Sequence, residues 1–233
     1  MGNIMKKKPV LHSELVYIVA TITMALSVAL LTTADFDVSM ITGIPYILSL
    51  KFPVMTLGMY EYVFQTIMLV VLCIVTKKFR VLYLSAYISS ILYSVFLDLI
   101  RWLVPFLNPN ITAPGSPAMY VRIIMFVTGM VFTSLSVAIY FKVYLYPQIY
   151  DFFPKKLCQH FNWNLIKVKR IYDATLFTCS VALSLILFHG FRGIGIGTII
   201  ITLVNSVLIG LFSRVIDKHI VLKPIFPKLE SKF

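Results

Sequence analysis

Residues 191–214, FRGIGIGTIIITLVNSVLIGLFSR, form a glycine-led apolar run that has a counterpart earlier in the chain. Residues 79–101, FRVLYLSAYISSILYSVFLDLIR, align with this run at a constant offset of 112 positions. Upstream the offset becomes 109, and Leu26-Ser27-Val28-Ala29 recurs as Leu135-Ser136-Val137-Ala138. Further corresponding residues are Phe79 and Phe191, Arg80 and Arg192, Tyr60 and Tyr172, Glu61 and Asp173, Tyr93 and Asn205, Ser94 and Ser206, and Pro45 and Pro154. These matches in one order predict an internal duplication, with repeats at about 14–103 and 123–216.

The composition indicates that this chain is surrounded by lipid. Of 233 residues, 59% are hydrophobic and 13% are charged, and the mean hydropathy is +0.90. A soluble domain has about 25% charged residues, and no soluble core could bury this much apolar surface. We therefore expect one integral membrane domain over residues 1–233, with the lipid bilayer as its surroundings.

Six apolar runs are long enough to cross a bilayer as helices. They lie at about residues 15–33, 57–76, 81–103, 119–140, 171–188 and 197–216. Two further segments, 34–56 and 141–170, are interrupted by prolines and charges. The first is interpreted as interfacial or re-entrant, and the second as lying on the membrane surface. A cleaved signal peptide is the alternative interpretation of the first run.

Basic residues are distributed unequally between the two sides of this six-helix arrangement. With a cytoplasmic N-terminus, 17 of the 21 Lys and Arg residues lie inside; those outside are Lys51, Arg101, Arg122 and Arg192. The positive-inside rule therefore predicts that both termini are cytoplasmic. Each repeat has three spanning helices, an odd number, so the two repeats run in opposite directions. The expected fold class is an all-α, six-helix polytopic membrane protein with 3+3 inverted-topology repeats.

Polar side chains lie near the middles of helices 3 and 6. Tyr93 and Ser94 belong to the third helix, and Asn205 and Ser206 belong to the sixth. An unsatisfied amide in hydrocarbon costs several kcal/mol, so Asn205 must face a partner helix or water. Two interpretations remain open, namely hydrogen bonds between helices and a substrate site at the bilayer midplane.

Four charged residues are candidates for a gate or for a structural role. Glu61 and Asp173 open helices 2 and 5 at symmetric positions, where an acid complements the helix dipole. Asp98 and Arg101 are three residues apart near the outer end of helix 3, so they share one face. They are interpreted either as a structural ion pair or as a gate or proton-coupling site.

No catalytic, cofactor or metal site is predicted, and we do not expect an enzyme. The glycines at 193–197 lack the pattern of a phosphate-binding loop. The four histidines form no ligand cluster, and the three cysteines lack metal-ligand spacing. The net charge of +12 is divided among short turns without any nucleic-acid-reading module, so nucleic acid is not an expected partner.

Short motifs run through most of the chain. They are Ile44-Pro45-Tyr46-Ile47-Leu48-Ser49, Phe96-Leu97-Asp98, Lys167-Val168-Lys169 ahead of Asp173, Gly195-Ile196-Gly197-Thr198-Ile199-Ile200 with Asn205, and Leu208-Ile209-Gly210-Leu211-Phe212-Ser213. Together they resemble the YczE/YyaS/YitT-type family of bacterial membrane proteins. The resemblance implies a multi-pass protein of the bacterial inner membrane, and it implies no particular substrate.

Three functions fit these features. The first is a small-molecule transporter that works by alternating access, with an unknown small solute as its partner. The second is a substrate-capturing subunit of an uptake complex, because Ala25-x-x-x-Ala29 has the spacing with which small residues dock helices. The third is a non-transporting membrane scaffold or regulator. A second copy of the chain or a membrane partner protein is a further candidate partner, and the inverted repeat favours the first function.

Overall fold

The computed structural model describes residues 9–36, 38–79, 83–193 and 196–225. Among these residues it has eight α-helices, one 3-10 turn at Pro105–Leu107 and two short strands. The helices are α1 (Ser13–Ala34), α2 (Gly43–Lys51), α3 (Leu57–Thr76), α4 (Tyr83–Leu103), α5 (Met119–Tyr140), α6 (Ile149–Phe161), α7 (Leu165–Phe188) and α8 (Ile196–His219), and the strands are β1 (Val10–His12) and β2 (Val221–Lys223). Gly195 of the glycine run, Arg80 of the repeated Phe-Arg pair and the basic residues at 6–8, 228 and 232 lie outside the described residues.

Six helices are long and apolar enough to cross a membrane, as the sequence predicts. They are α1, α3, α4, α5, α7 and α8. Each has 20 to 24 residues, and 20 residues span about 30 Å, the thickness of the hydrocarbon core. The chain is therefore a multi-pass membrane protein with lipid around its outer faces. α7 begins earlier than the hydropathy pattern suggests, at Leu165 instead of about residue 171.

Several helix ends have a local cause in the sequence. Asp35 follows α1, Lys77 follows α3 and Asn162 follows α6, with φ angles of 53°, 50° and 55°. A left-handed residue closes a helix, and Asp and Asn adopt this conformation more readily than most residues. At its other end α3 begins after Thr56, whose side chain accepts a hydrogen bond from the Met59 amide at 3.2 Å.

α1 and α5 form the central pair of the bundle. Ser27 on α1 donates to the carbonyl of Gly129 on α5 at 2.7 Å and also bonds to the Thr133 hydroxyl. Ala25 and Ala29 are fully buried at the same level. Small residues let two helix backbones approach closely, and a Cβ at Gly129 would lie 2.8 Å from a side-chain carbon of α1. The sequence thus specifies this contact by its small and hydroxylated residues.

The remaining helices surround this pair, and the short strand before α1 pairs with the short strand after α8. α4 packs on α1 and α3, α8 on α5, α2 on α3 and α7, and α6 on α3, α4 and α7. β1 pairs with β2 in parallel, with Val10 opposite Val221, and we call this end of the bundle the termini side. The connection 104–118 lies at the opposite end, where the Gly115 amide bonds to the Thr33 carbonyl at 3.2 Å. We call that end the loop side.

α2 and α6 begin inside the bundle and run back out of it. The Ile149 amide donates to Ser90 in the middle of α4 at 3.3 Å, and Ile149 and Phe152 are fully buried. The interpretation of segment 141–170 as lying on the surface is therefore wrong for the start of α6, whereas residues 159–165 are exposed. In the other half, Tyr46 of α2 is buried and donates to the Thr32 carbonyl at 3.1 Å, which agrees with the re-entrant alternative for segment 34–56.

Candidate functional site

A cavity of about 450 Å³ lies between α5, α8 and the first turns of α6 and α7. We call it the central cavity. Four of the residues singled out from the sequence line it: Tyr93, Asp173, Asn205 and Ser206. Its volume falls in the range of about 300–1,000 Å³ that small-molecule sites occupy. The structure therefore brings residues of three separate helices, α4, α7 and α8, to one space.

The four predicted midplane residues differ in their surroundings. Asn205 accepts a hydrogen bond from Ser134 of α5 at 2.7 Å while it also lines the central cavity. Ser206 bonds within its own helix, to the Leu203 carbonyl at 2.9 Å. Ser94 does not line the cavity; its carbonyl lies at the crossing of α3 and α4. Asn205 is thus both an interhelical hydrogen-bonding residue and a cavity residue, so both sequence interpretations describe part of its position.

Two helix N-termini contribute to the wall of the central cavity. Ser39 and Thr42 lie just before α2, and Gln148 and Tyr150 lie at the start of α6. Neither Thr42 nor Gln148 caps its helix with a side-chain hydrogen bond. The first amides of a helix lack intrahelical partners and carry the positive end of the helix dipole. The start of α2 has no acid in its first turn, whereas the first turn of α6 contains Asp151, so only the α2 start makes part of the wall electropositive.

An acidic and basic cluster forms another part of the same wall. Lys169 of α7 makes an ion pair with Asp151 of α6 at 2.9 Å. Asp173 lies one turn further along α7, and its Oδ1 atom is buried with no hydrogen-bond partner among the described residues. Asp173 is the ninth residue of α7, whose first turn holds no acid. The interpretation of Asp173 as a complement to a helix dipole is therefore wrong.

Glu61 is buried in the second turn of α3. Its Oε2 atom accepts a hydrogen bond from Tyr150 at 2.5 Å, while its Oε1 atom has no hydrogen-bond partner in the described part of the chain. One turn further along α3, Gln65 accepts a hydrogen bond from Ser90 at 2.5 Å. The first turn of α3 holds no acid, so the dipole interpretation of Glu61 is also wrong. Glu61 instead belongs to a polar layer inside the bundle, beside the central cavity.

Asp98 and Arg101 do not form the predicted ion pair. Asp98 accepts hydrogen bonds from the Gly58 amide at 3.0 Å and from Thr56 at 2.5 Å, both at the start of α3. Arg101 donates instead to Thr32 of α1 at 2.6 Å and is 9% exposed. The two residues share a general direction on α4, but α4 lies between α1 and α3, so each one finds a partner on a different helix.

Asp98 and Arg101 line a second cavity, of about 490 Å³, on the loop side. We call it the loop cavity. Its wall also contains Tyr46 and Trp102 together with Asn108 from the connection between α4 and α5. Glu61 and Tyr93 are fully buried, and Tyr93 lines the central cavity. The two cavities have no lining residue in common, so they are separate spaces.

An electrostatic contact secures the loop-side end of α1. Arg122 donates to the carbonyls of Ala34 and Asp35 at 2.7 and 2.9 Å, and its guanidinium lies 4.5 Å from the centre of the Phe36 ring. Partial burial raises the pKa of Asp35 above its ordinary value, although the charges of Arg122 and Arg192 act in the opposite direction. The contact fixes the point where the chain leaves α1 and turns toward α2.

Comparison with known proteins gives a family. Residues 11–214 match the model of DUF6198, which is described as a family of unknown function. The chain belongs to the DUF6198 family. No curated protein and no solved structure matches it. The DUF6198 match does not connect the chain to the YczE/YyaS/YitT-type proteins by name, so that resemblance stays a prediction.

The DUF6198 segment contains both cavities, and it includes site residues that the sequence did not single out. Tyr150, Gln148, Lys169 and Asp151 lie on a segment that looked like a membrane-surface region. The sequence signal that could have found them is a helix start: Gln148 precedes an amphipathic segment with Asp151 in its first turn. Among the described residues, no group of three or more His, Cys, Asp and Glu side chains is placed to hold a metal ion.

Proposed function

We propose that this DUF6198 protein is a small-molecule membrane transporter that works by alternating access, and that it is not an enzyme. The observation that carries the proposal is the pair of cavities along α4. Tyr93 lines the central cavity and Arg101 lines the loop cavity. The two residues are eight positions apart, which is about 12 Å along a helix. A short barrier therefore separates two spaces that are each large enough for a small solute.

The barrier is made of buried polar groups. Glu61 is fully buried and bonds to Tyr150, which lines the central cavity, and buried Arg101 reaches the loop cavity from α4. Ionisable side chains inside a membrane are costly, and they mark solute or ion pathways more often than lipid-facing surface. A change in the packing of this layer would open one cavity and close the other.

The arrangement of helices supports the proposed 3+3 inverted repeat. Each half consists of one long helix, one short helix and two more long helices. The short helix of each half packs on the third element of the other half: α2 contacts α7, and α6 contacts α3. Two halves of opposite direction can exchange their conformations, which is how repeat transporters alternate access around a central site.

We place the protein in the inner membrane of a bacterial cell, with both termini in the cytoplasm. The basic residues support this orientation, because 17 of 21 fall on that side. The pairing of β1 with β2 keeps both chain ends at one end of the bundle. The resemblance to YczE/YyaS/YitT-type proteins supports the bacterial location. On this proposal the partners are the lipid bilayer and an unidentified small solute.

The position of Ala25 and Ala29 weighs against a docked subunit of an uptake complex. Both residues are fully buried between α1 and its own neighbours. A small-residue motif can dock a partner helix only where its face is free. The alternative functions, a subunit of an uptake complex and a membrane scaffold, therefore serve as competing outcomes of the transport experiment.

Uptake by purified protein in liposomes tests the proposal. The protein is reconstituted alone and offered a panel of labelled small solutes, and we expect at least one to accumulate. Asn205→Leu should abolish that uptake, because it removes the amide from the central cavity, whereas the loss of the Ser134 hydrogen bond should cost only ~0.6 kcal/mol of stability. Val207→Leu is the control, since Val207 lies on the same helix but is 69% exposed.

Two results would contradict the proposal, the first its transport function and the second its transport site. In the first, no solute crosses and the protein co-purifies with an ATPase module, which would favour the uptake-complex subunit. In the second, Asn205→Leu and Val207→Leu transport a solute at the rate of the unchanged protein. The central cavity would then not be the transport site.

A further inference from the structure

The start of α2 gives one part of the central cavity a preference for negative charge. Ser39 and Thr42 line the cavity immediately before this nine-residue helix. Thr42 makes no side-chain cap, and the first turn of α2 holds no acid. The positive end of the α2 dipole therefore lies beside the cavity without an acid in the first turn to compensate it, which favours an anionic group there.

Tyr93 is a second and independent indication of a ligand at this place. Its side chain is fully buried and lines the central cavity, and its hydroxyl has no hydrogen-bond partner among the described residues. Tyr93 lines the same cavity as Ser39 and Thr42 before the α2 start. A buried hydroxyl without a partner costs about 1–3 kcal/mol. A carboxylate at the α2 start would accept a hydrogen bond from it.

The cluster on α6 and α7 has the opposite preference. Asp151, Lys169 and Asp173 all line the cavity, so this group has one more acid than base. Lys169 is already in an ion pair with Asp151, and Asp173 Oδ1 is buried without a partner in the described part of the chain. An ammonium group would compensate the charge of Asp173 and donate a hydrogen bond to its Oδ1 atom.

The rest of the cavity wall is apolar. Met24 and Val137 contribute from the central helix pair, and Ile201 and Ile209 contribute from α8. Small-molecule sites combine such walls with a few polar groups that fix the orientation of the ligand. A ligand with two charged groups and a small apolar part matches this combination better than a singly charged ion.

We infer that the central cavity binds a small zwitterion of the amino-acid type, with its carboxylate at the α2 start and Tyr93 and its ammonium group at Asp173. The inference names the substrate class of the proposed transporter and rests on that function. The apolar side chain of the zwitterion lies against the wall formed by α1, α5 and α8. Lys169 holds Asp151 in its ion pair and leaves Asp173 for the solute.

Binding to the full-length protein in detergent tests this inference without any transport step. The zwitterions are L-alanine, L-leucine and L-phenylalanine. Each is compared with the carboxylate that lacks its amino group and with the amine that lacks its carboxylate group: propionate and ethylamine, isocaproate and isoamylamine, and hydrocinnamate and phenethylamine. We expect at least one zwitterion to bind about tenfold more tightly than both of its analogues, because each charged group adds a charge-assisted contact.

Two variants test the two ends of the ligand, and a third variant is the control. Tyr93→Phe should weaken zwitterion binding about tenfold, the value of one charge-assisted hydrogen bond, and leave amine binding unchanged. Asp173→Asn should weaken zwitterion and amine binding and leave carboxylate binding unchanged. Asp217→Asn is the control, because its ion pair with Lys142 is exposed and lies away from the cavity. Gel filtration of each variant verifies that it is folded.

Each outcome decides the inference. If no zwitterion binds, or if a carboxylate or an amine binds as tightly as its zwitterion, the inference is refuted. In that case uptake of some other solute in liposomes would leave the transport proposal standing. Zwitterion binding without uptake would support the site and refute transport.

Discussion

Tyr150→Phe removes one hydroxyl group from the interior of the bundle. That hydroxyl donates to Glu61 Oε2 at 2.5 Å, and both residues are buried, Tyr150 at 4% and Glu61 at 0% exposure. The other carboxyl oxygen of Glu61 has no hydrogen-bond partner among the described residues. The substitution therefore leaves this buried carboxyl group without a hydrogen bond from the described residues.

The expected cost depends on which of two magnitudes applies. Hydrogen bonds between membrane helices average ~0.6 kcal/mol, because the unfolded chain in the membrane also finds partners. A buried polar group that loses its partner costs about 1–3 kcal/mol, and hydrogen bonds to charged groups lie at the upper end of this range. Since Glu61 has no second partner to replace Tyr150, the larger magnitude applies. We expect Tyr150→Phe to lower the free energy of unfolding by about 2 kcal/mol.

The free energy of unfolding is measured by denaturation in detergent, with the unchanged protein and the variants prepared in the same way. Tyr62→Phe is the control, because it removes a tyrosine hydroxyl that accepts a 2.7 Å hydrogen bond from Tyr87 at an exposed position. That change should cost no more than ~0.6 kcal/mol. Equal losses for Tyr150→Phe and Tyr62→Phe would refute the reasoning. A double-mutant cycle with Glu61→Gln then isolates the energy of the Tyr150–Glu61 pair.

Three further predictions test the topology, the loop-side end of α1 and the packing of α8. Single cysteines at Ser116 and Lys218 in a cysteine-free background should react from opposite sides of the membrane, and labelling from one side would exclude the six-helix topology. Burial raises the pKa of the Asp35 carboxyl group in the folded protein. The favourable contribution of this group to stability is therefore present in full below its unfolded-state pKa of about 3.9, and it is lost as the pH rises through its folded-state pKa. Asp35→Asn should therefore stabilise the protein at neutral pH and flatten the dependence of its melting temperature on pH; an unchanged profile would contradict this. Gly197→Ala should cost at least about 1–3 kcal/mol, because the new Cβ would lie 1.5 Å from a backbone carbonyl oxygen. Gly210→Ala on the same helix meets nothing within 4 Å and should stabilise the helix by up to about 1 kcal/mol, so thermal unfolding of the pair separates a packing effect from helix propensity.

The long helices could be predicted from the sequence because their signal is local. Each is an apolar run of sufficient length, and Pro105 and the prolines that follow it end α4 unmistakably. The start of α7 was less visible: Lys167, Lys169 and Arg170 suggested a surface region, although straight-chain basic residues extend a helix well. β1 and β2 could not be predicted, since three-residue strands that pair across the whole chain have no periodicity of their own.

The candidate site was predictable only in part. Tyr93, Asn205 and Ser206 stood out because they are polar residues in apolar helices, and all three line the central cavity. Tyr150 did not stand out, because a short apolar segment gives the same pattern on a membrane surface as it does inside a bundle. The hydrogen bond between Tyr150 and Glu61 forms because α6 packs against α3, and this packing could not be predicted from either segment alone. The Asp98–Arg101 prediction failed for the same reason, since spacing on one helix does not identify the partners on its neighbours.

The two halves of the bundle differ in how their last two helices pack. α3 and α4 cross closely at Gly58, where a Cβ would lie 2.5 Å from the Ser94 carbonyl oxygen. Under the proposed duplication, the residue that corresponds to Gly58 at the offset of 112 is Arg170, whose side chain is exposed. α7 and α8 do not pack along each other in the described part of the chain. Asp173 of α7 and Asn205 of α8 instead both line the central cavity, so a cavity lies where the first half has a close helix crossing.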